Sequence, residues 1–485
     1  MVASNPNKLS MRGTDEPTNN WATDKDNPHN WPRSRKITTA IVVCGIGFTT
    51  TLGASIYSPG HTEVQQEFQV SATVALLPLS AYSLGLAFGP MISSPLSETF
   101  GRKVVYIITL PPCDLFLLAA GFSKSIAALI ICRFFAGLFA APGVSVAAAV
   151  ISDFTSPDQR VIPLAGYYAM PWLGSAVGPL IGGFAVKRKG WRWTSWVVLM
   201  IAAFFHPLVL FLRESYKPKI LQQKAQKGGY VNHSDAVQTK SLLHTLQIFI
   251  TSTIIRPLHM LMTEPLVGFI CLYTGFQFAL LYTFIVASPW VLKTVYGFSL
   301  SGQSLSFLGM VGGCIFAPFI LVTLDYFVRT RKQTRISLLS SESANQPSFP
   351  PENKLLAALY GSLVLPIALF WFGWSAKSSV HWICPILAQA VAFIGSFLIY
   401  VPCSFYMVDV YGAQYSASAN GASSFSRYML SAAFPLFVTQ MYEKLGVGWA
   451  SSLLGFLALA MAPIPWVFYR FGPVFRARSA YEHGS

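Results

Sequence analysis

The chain has 485 residues, of which 53% are hydrophobic and only 11% charged. Soluble domains carry roughly 25% charged residues, so this balance excludes an ordinary soluble domain and marks a membrane protein. The net charge of +15 is accounted for by basic loops at a membrane surface, and no nucleic-acid partner is expected.

The first 36 residues are polar and contain no apolar core, which argues against a cleaved secretory signal and for a first span acting as an uncleaved signal-anchor. A spanning helix needs about 20 mostly apolar residues. Twelve such runs follow, at 37–58, 73–95, 104–122, 126–150, 163–185, 193–212, 265–288, 303–325, 355–374, 381–404, 422–441 and 447–469. Polar stretches at 213–264 and 326–354 interrupt them. The predicted organisation is an N-terminal tail (1–36), a six-helix bundle (37–212), a central loop (213–264), a second six-helix bundle (265–469) and a C-terminal tail (470–485). The seven cysteines all fall within apolar runs and read as small buried hydrophobes, not as a disulfide framework or metal site.

Several residues stand out along these spans. Span 1 contains no Asp or Glu, span 2 ends near Glu98, and span 3 carries Asp114 beside Pro111-Pro112. Span 4 contains Arg133 and is followed by Asp153. Span 5 holds "GSAVGPLIGG", Gly174 to Gly183. Each glycine there costs about 1 kcal/mol against Ala and an interior Pro about 3. Gly174, Gly178 and Gly182 recur every four residues, a stripe that lets a neighbouring backbone approach closely. Pro179 leaves the Ser175 carbonyl without its helical donor, so a kink is expected.

The two halves repeat weakly. Asp153 follows span 4 and Asp409 follows span 10; Pro179 and Pro435 each lie 26 residues further on. "GWRWTS" enters span 6 and "GWASS" enters span 12; Ser58-Pro59 ends span 1 and Ser288-Pro289 ends span 7; span 2 ends near Glu98 and span 8 near Asp325. In the same order, these matches indicate a duplicated six-helix unit. Such halves place a substrate site at the bilayer midplane between them and exchange its access by rocking. Of the 34 Lys and Arg, 24 fall on the side of the termini, 8 on the other and two, Arg133 and Arg427, in spans. This bias puts both termini in the cytoplasm. Lys187, Arg188, Lys189 and Arg192 are a local exception, and the sequon Asn232-His233-Ser234 falls on the cytoplasmic side.

The chain resembles a major facilitator superfamily transporter, and more closely the fungal twelve-span drug:proton antiporters. The resemblance covers about residues 26 to 478. It is carried by "DNPHNWP" (26–32), "GPMISSPLSETFGRK" (89–103), "CRFFAG" (132–137), the Gly-Pro segment 174–183, "WRWTSW" (191–196), "RESYKPKILQQKA" (213–225), "HWICP" (381–385), "YSASANGASSFSR" (415–427) and "GVGWASSLLGF" (446–456). The loop departs from the family with Glu98 in place of Asp and Ser94 in place of Gly, and the central loop has Arg213-Glu214-Ser215-Tyr216 where the branch usually has Pro-Glu-Thr-Tyr. The resemblance implies an all-α membrane protein of the major facilitator fold, with twelve transmembrane helices in two pseudo-symmetric bundles. It implies no cofactor, the proton gradient being the driving force. It implies a monomer in a lipid bilayer, with a small-molecule substrate. The expected site is the plasma membrane, with a vacuolar or vesicular membrane as the alternative.

Arg133 is the sharpest single signal, because a guanidinium in a span costs about 2.5–3.5 kcal/mol on insertion scales. In the family the matching Arg couples proton binding to substrate movement; the alternative is a structural Arg bonding to carbonyls between spans. Asp114, Glu98, Asp153, Asp325 and Asp409 are the acidic candidates for proton coupling, and His206 in span 6 titrates in the right range. Glu98, Arg102 and Lys103 read as a gate, with the Glu98 carboxylate against the N-terminus of span 11 near Gly421. The segment Gly174, Gly178, Pro179, Gly182 and Gly183 resembles the family's antiporter motif and is expected to pack span 5 against the other half. The expected cavity is aromatic and sparsely polar, lined by Tyr168 and Trp172, by Tyr273, Gln277 and Tyr282, and by Asn420, Ser424 and Arg427. Such pockets favour bulky, largely apolar molecules, and cationic ones stack on the rings.

The expected function is proton-coupled export of a small organic molecule, a secondary metabolite, toxin or drug. A polyamine or nutrient carrier is the alternative. A membrane-embedded enzyme is disfavoured, because the sequence has no His-rich metal cluster and no His-Glu-x-x-His helix. An ATP-driven pump is strongly disfavoured, because no Gly-Lys dipeptide exists to build a phosphate-binding loop.

Overall fold

A computed structural model describes residues 21–156, 160–227, 255–339, 350–477, 479 and 481. The sequon at 232–234 and much of the central loop lie outside the described residues. Among those described, the regular structure is helical with no strand. A bilayer enforces this, because each backbone amide in hydrocarbon must find its partner within the span.

The first half contains spans Arg33–Ser55, Ala72–Thr99, Arg102–Gly121, Ile126–Ala140 continued by Pro142–Phe154, Val161–Lys189, and Trp193–Phe205. The second contains Pro265–Tyr296, Leu300–Leu305 continued by Phe307–Leu339, and Leu356–Ser375. Spans 10 and 11 run together over Ile383–Ala433 and are separated by Gly412. Spans 11 and 12 share Pro435–Met461 and are separated by Gly446, with Pro463–Arg476 completing span 12. Gly412 (φ 55°) and Gly446 (φ 72°) occupy the left-handed region that reverses the chain without a side-chain clash.

Within the first half, span 1 packs on span 5, and span 4 packs on spans 2 and 3. In the second, span 7 lies in the interior with Tyr273–Ser288 continuously buried, and span 9 packs on spans 10 and 12. The halves meet along two seams. Span 5 crosses span 8, and span 2 meets span 11, where Phe88 and Phe425 approach to 5.6 Å between ring centres. Spans 3, 6, 9 and 12 turn large apolar side chains outward, among them Leu115, Phe204, Ile367 and Phe456, as a surface solvated by acyl chains requires. All seven cysteines are free.

Several expected boundaries move. Eleven helices among the described residues are long and apolar enough to cross a membrane, and residues 413–434 are not among them. Span 11, expected at 422–441, in fact begins just after Gly412. Its first turns, "AQYSASANG", are small and polar because several of them border a cavity, so the apolar pattern starts late. Span 7 continues through Pro289 to Tyr296, so Ser288-Pro289 does not end it as Ser58-Pro59 follows the end of span 1. Span 8 continues to Leu339, inside the polar stretch 326–354, and span 12 continues to Arg476, inside the expected tail. The central loop contains helices Lys217–Lys227 and Arg256–Thr263.

Candidate functional site

A cavity of about 930 Å3 lies between the halves. It opens at the face carrying the N-terminal segment, the central loop and the 350–355 turn, as Arg160, Tyr216, Lys354 and Gly412 at its rim indicate. The opposite face is closed by contacts between the halves. The Ser58 hydroxyl donates to the Ile285 carbonyl at 3.3 Å, and Lys187 donates to Ser301 at 2.9 Å. The Gln440 amide and the Thr73 hydroxyl meet at 2.8 Å. Of the basic cluster on that face, Arg192 is neutralised by Glu67.

The rim carries two ion pairs at corresponding places. Arg102, first residue of span 3, lies 3.5 Å from Asp153 at the end of span 4. Lys354, just before span 9, pairs with Asp409 near the end of span 10. Ser215 donates to Asp153 at 2.8 Å, and the Arg102 guanidinium lies over the Tyr216 ring at 4.7 Å. Burial raises the Tyr216 phenol above its ordinary pKa, with Glu98 adding to the rise and Arg102 opposing it. Glu98 is exposed on the rim.

The expected contact of Glu98 with a helix end at Gly421 does not form. Gly421 lies nine residues past Gly412, inside the helix, and a Cβ added there would meet Pro257 at 3.6 Å. The helix start that does take a carboxylate is that of span 3. Glu214 accepts from the backbone N–H of Arg102 at 2.9 Å and of Lys103 at 3.1 Å, which ties the central loop to the first half.

Deeper in, the cavity narrows onto aromatic rings from both halves. Tyr168 of span 5 meets Tyr400 and Phe405 of span 10 at 5.5 and 5.9 Å between ring centres. Arg427 of span 11 places its guanidinium 4.9 Å from the Tyr400 ring and 5.1 Å from Phe278. Behind Tyr400, Trp172 packs against Phe278, Phe393 and Phe397. This aromatic plug separates the cavity from the closed face.

The structure therefore divides the expected cavity residues. Tyr168, Asn420, Ser424 and Arg427 line it. Trp172, Tyr273, Gln277 and Tyr282 do not: they are buried in the interior. Gln277 donates to the Tyr273 carbonyl at 3.3 Å, a contact within its own helix. Among the described residues, the Trp172 indole N–H and the Tyr273 phenol have no hydrogen-bond partner in their packed positions. Tyr400, Phe405 and Lys354 were not anticipated. The only sequence signal of Tyr400 and Phe405 is a run of large and aromatic residues in an apolar span, which a packed core shares, and Lys354 ends a polar stretch.

Arg133 is 1% exposed and does not line the cavity. It donates to the carbonyls of Ala54 at 3.1 Å and Pro78 at 3.4 Å, and its guanidinium faces the rings of Tyr82 and Tyr57. In this state it ties spans 1, 2 and 4 together near the closed face, which is the carbonyl-bonding alternative. Asp114 also lies outside the cavity, and His206 of span 6 meets it at 2.9 Å. The glycine stripe faces span 1 of its own half, not the other half. A Cβ added at Gly178 would lie 2.9 Å from the Ile56 nitrogen, and one at Gly174 would lie 2.5 Å from the Thr51 hydroxyl. Only Gly183 faces across the seam, against Ser304 of span 8. Span 5 runs as one helix through Pro171 and Pro179. Among the described residues, no group of His, Cys, Asp or Glu has the arrangement of a metal site.

Residues 43–435 match the sequence profile of the Major Facilitator Superfamily. The chain is 33% identical to "Polyamine transporter 4" of Saccharomyces cerevisiae over 99% of its own length and 74% of the relative's. It is 34% identical to the "Ascochitine biosynthesis cluster MFS transporter" of Didymella fabae, over 95% of this chain and 88% of the relative. Among solved structures, the proton:xylose symporter XylE superimposes with a TM-score of 0.64 at 15% identity, covering 90% of this chain and 97% of the other. That likeness is one of fold: two bundles of six helices.

Proposed function

We propose that this chain, which belongs to the major facilitator superfamily, is a proton-coupled exporter of a small organic molecule working by alternating access. Its relatives are transporters, not enzymes, and it is a multi-pass membrane protein and a secondary transporter. The observation that carries the export reading is the cavity lined by both halves, open at one face and closed at the other by an aromatic plug. On the charge bias of its loops, the open face is cytoplasmic, as are both termini. Substrate is taken up from the cytoplasm, the rim closes and the far face opens. The relative from a biosynthetic cluster supports a self-made metabolite as cargo. We place the transporter in the plasma membrane, as a monomer without cofactor. Glu98, Asp153 and Arg102 are our candidates for coupling and gating at the rim, with Arg133 as the brace that holds spans 1, 2 and 4 in register.

A polyamine carrier is the rival reading. It rests on the yeast relative and on the four carboxylates, Glu98, Asp153, Asp325 and Asp409, that line the cavity. Proteoliposomes holding the full chain, given an imposed proton gradient and offered naphthoate or spermidine, separate the two. Gradient-driven counterflow of naphthoate that an uncoupler abolishes is the expected result. Counterflow of spermidine alone favours the rival, and no gradient-driven flux of either removes proton coupling.

A further inference from the structure

We propose that the inner end of the cavity is a subsite for an anionic oxygen on a flat apolar skeleton, so that the cargo is an aromatic or conjugated organic acid and not a polyamine. This rests on the reading of the cavity as the transport site.

The argument begins with where charge sits. Of the four carboxylates that line the cavity, Glu98, Asp153 and Asp409 lie near the ends of spans 2, 4 and 10 at the mouth, and Asp325 lies on span 8. Two of them, Asp153 and Asp409, are closed by Arg102 and Lys354. Arg427 lies fifteen residues past Gly412 along span 11, about 22 Å further in at 1.5 Å per residue. It is 8% exposed and lines the cavity. Among the described residues no carboxylate pairs with it. Its NH1 and NH2 groups donate to the hydroxyls of Ser423 at 2.8 Å and Ser424 at 2.9 Å, and among the described residues its Nε has no hydrogen-bond partner. A guanidinium has five N–H donors, so its donor capacity exceeds what the protein supplies.

The setting amplifies the charge. Two aromatic rings, Tyr400 and Phe278, hold the guanidinium plane, which stabilises the cation without neutralising it. Serine hydroxyls are neutral acceptors. At this depth the low dielectric makes an uncompensated charge a strong attractor for its opposite, and the planar fork matches a carboxylate with two hydrogen bonds. Tyr168, Tyr400 and Phe405 form the wall beside it, and such rings accept a flat apolar body by stacking. A polyammonium would meet like charge at the same place.

The test uses the purified full chain in nanodiscs and measures binding of naphthoate, naphthamide, naphthylmethylammonium and spermidine by calorimetry. Naphthoate is expected to bind at least about tenfold tighter than naphthamide, a difference of about 1.4 kcal/mol, with both amines weaker still. Arg427→Gln is expected to abolish the preference of naphthoate over naphthamide. Arg427→Lys keeps the charge without the fork and should retain part of the preference, which preserves the test if the Gln variant misfolds. Either amine binding as tightly as naphthoate overturns the proposal, as does absence of naphthoate binding or a full preference surviving in a folded Arg427→Gln protein. The parent reading fails separately. Arg427-dependent naphthoate binding without gradient-driven flux removes export and keeps the subsite. Spermidine flux without naphthoate binding removes the subsite and keeps the transporter.

Discussion

Arg102 and Asp153 meet at 3.5 Å on the rim of the cavity, joining the start of span 3 to the end of span 4. Lys354 and Asp409 repeat this relationship in the second half. The duplicated aspartates thus mark a shared device: each half fastens its own rim with one ion pair, and the two pairs face the same opening.

Separating the second pair tests its role. Lys354→Ala and Asp409→Ala are each expected to lower turnover several-fold, with the exchanged double variant K354D/D409K recovering most of it. Both side chains are about one-third exposed, and exposed pairs contribute about 0.2–1 kcal/mol, so melting should change little. Flux assays beside thermal unfolding read the two effects apart, and unchanged turnover in both single variants would leave the pair without a role in transport.

Among the described residues, Glu98 stands on the same rim without a direct ion pair. Glu98→Gln keeps the shape and removes the charge. Reduced turnover at unchanged membrane abundance is the expected result of losing a gating charge. Normal turnover in a normally folded protein would remove Glu98 from the gate.

Gly178→Leu is expected to abolish transport. A side chain there strikes Ser55 and Ile56 of span 1, and overpacking a tight contact costs about 1–3 kcal/mol. Because this contact lies within one half, melting temperature should fall together with transport. A variant that melts normally and transports fully would show that spans 1 and 5 accommodate the extra bulk.

Trp172 closes the interior between cavity and far face. Trp172→Ala removes a side chain that is 1% exposed, a change that costs about 3–5 kcal/mol. The expected phenotype is a passive proton leak, read with a pH-sensitive dye in proteoliposomes, which Trp172→Phe should largely prevent. A tight vesicle with the Ala variant would relocate the seal to the seams.

The N-terminal segment docks onto the central loop through Lys224, which lies 2.5 Å from Asp24 and 2.9 Å from Asp26. The ammonium holds the Asp24 carboxyl below its ordinary 3.8. A depressed carboxyl stabilises docking above its unfolded pKa, and this contribution is lost as pH falls through the folded value. Asp24→Asn should therefore speed chymotryptic cleavage after Trp21 at pH 7, and the difference from the unaltered chain should vanish only below about pH 4. Equal cleavage at pH 7 would show that other contacts hold the segment.

Much of the architecture is legible in one dimension. Spans announce themselves because hydrocarbon demands long apolar helices, and the duplication survives as Asp153 and Asp409 in matching places. The exception is instructive. Residues 413–421 belong to span 11 yet escape the apolar pattern, because several of them border the cavity. The site is less legible. Arg427, Tyr168, Asn420 and Ser424 reach the cavity, whereas Tyr273, Gln277, Tyr282 and Trp172 do not, although their residue types recommend them equally. In a membrane protein both the lipid face and the packed interior are apolar, so periodicity reports no direction for the rotation of a span.

The sequence alone determined that this chain spans a membrane in two related halves and that two guanidinium groups, Arg133 and Arg427, are carried inside it. Those follow from composition and order along the chain, which a bilayer reads segment by segment. Only tertiary structure decided their different fates. Arg133 is turned onto the carbonyls of Ala54 and Pro78 near the closed face, and Arg427 onto the inner wall of the cavity. The physical reason is that a helix offers every residue some direction, and which direction is cavity, lipid or neighbour is set by contacts between spans far apart in the chain.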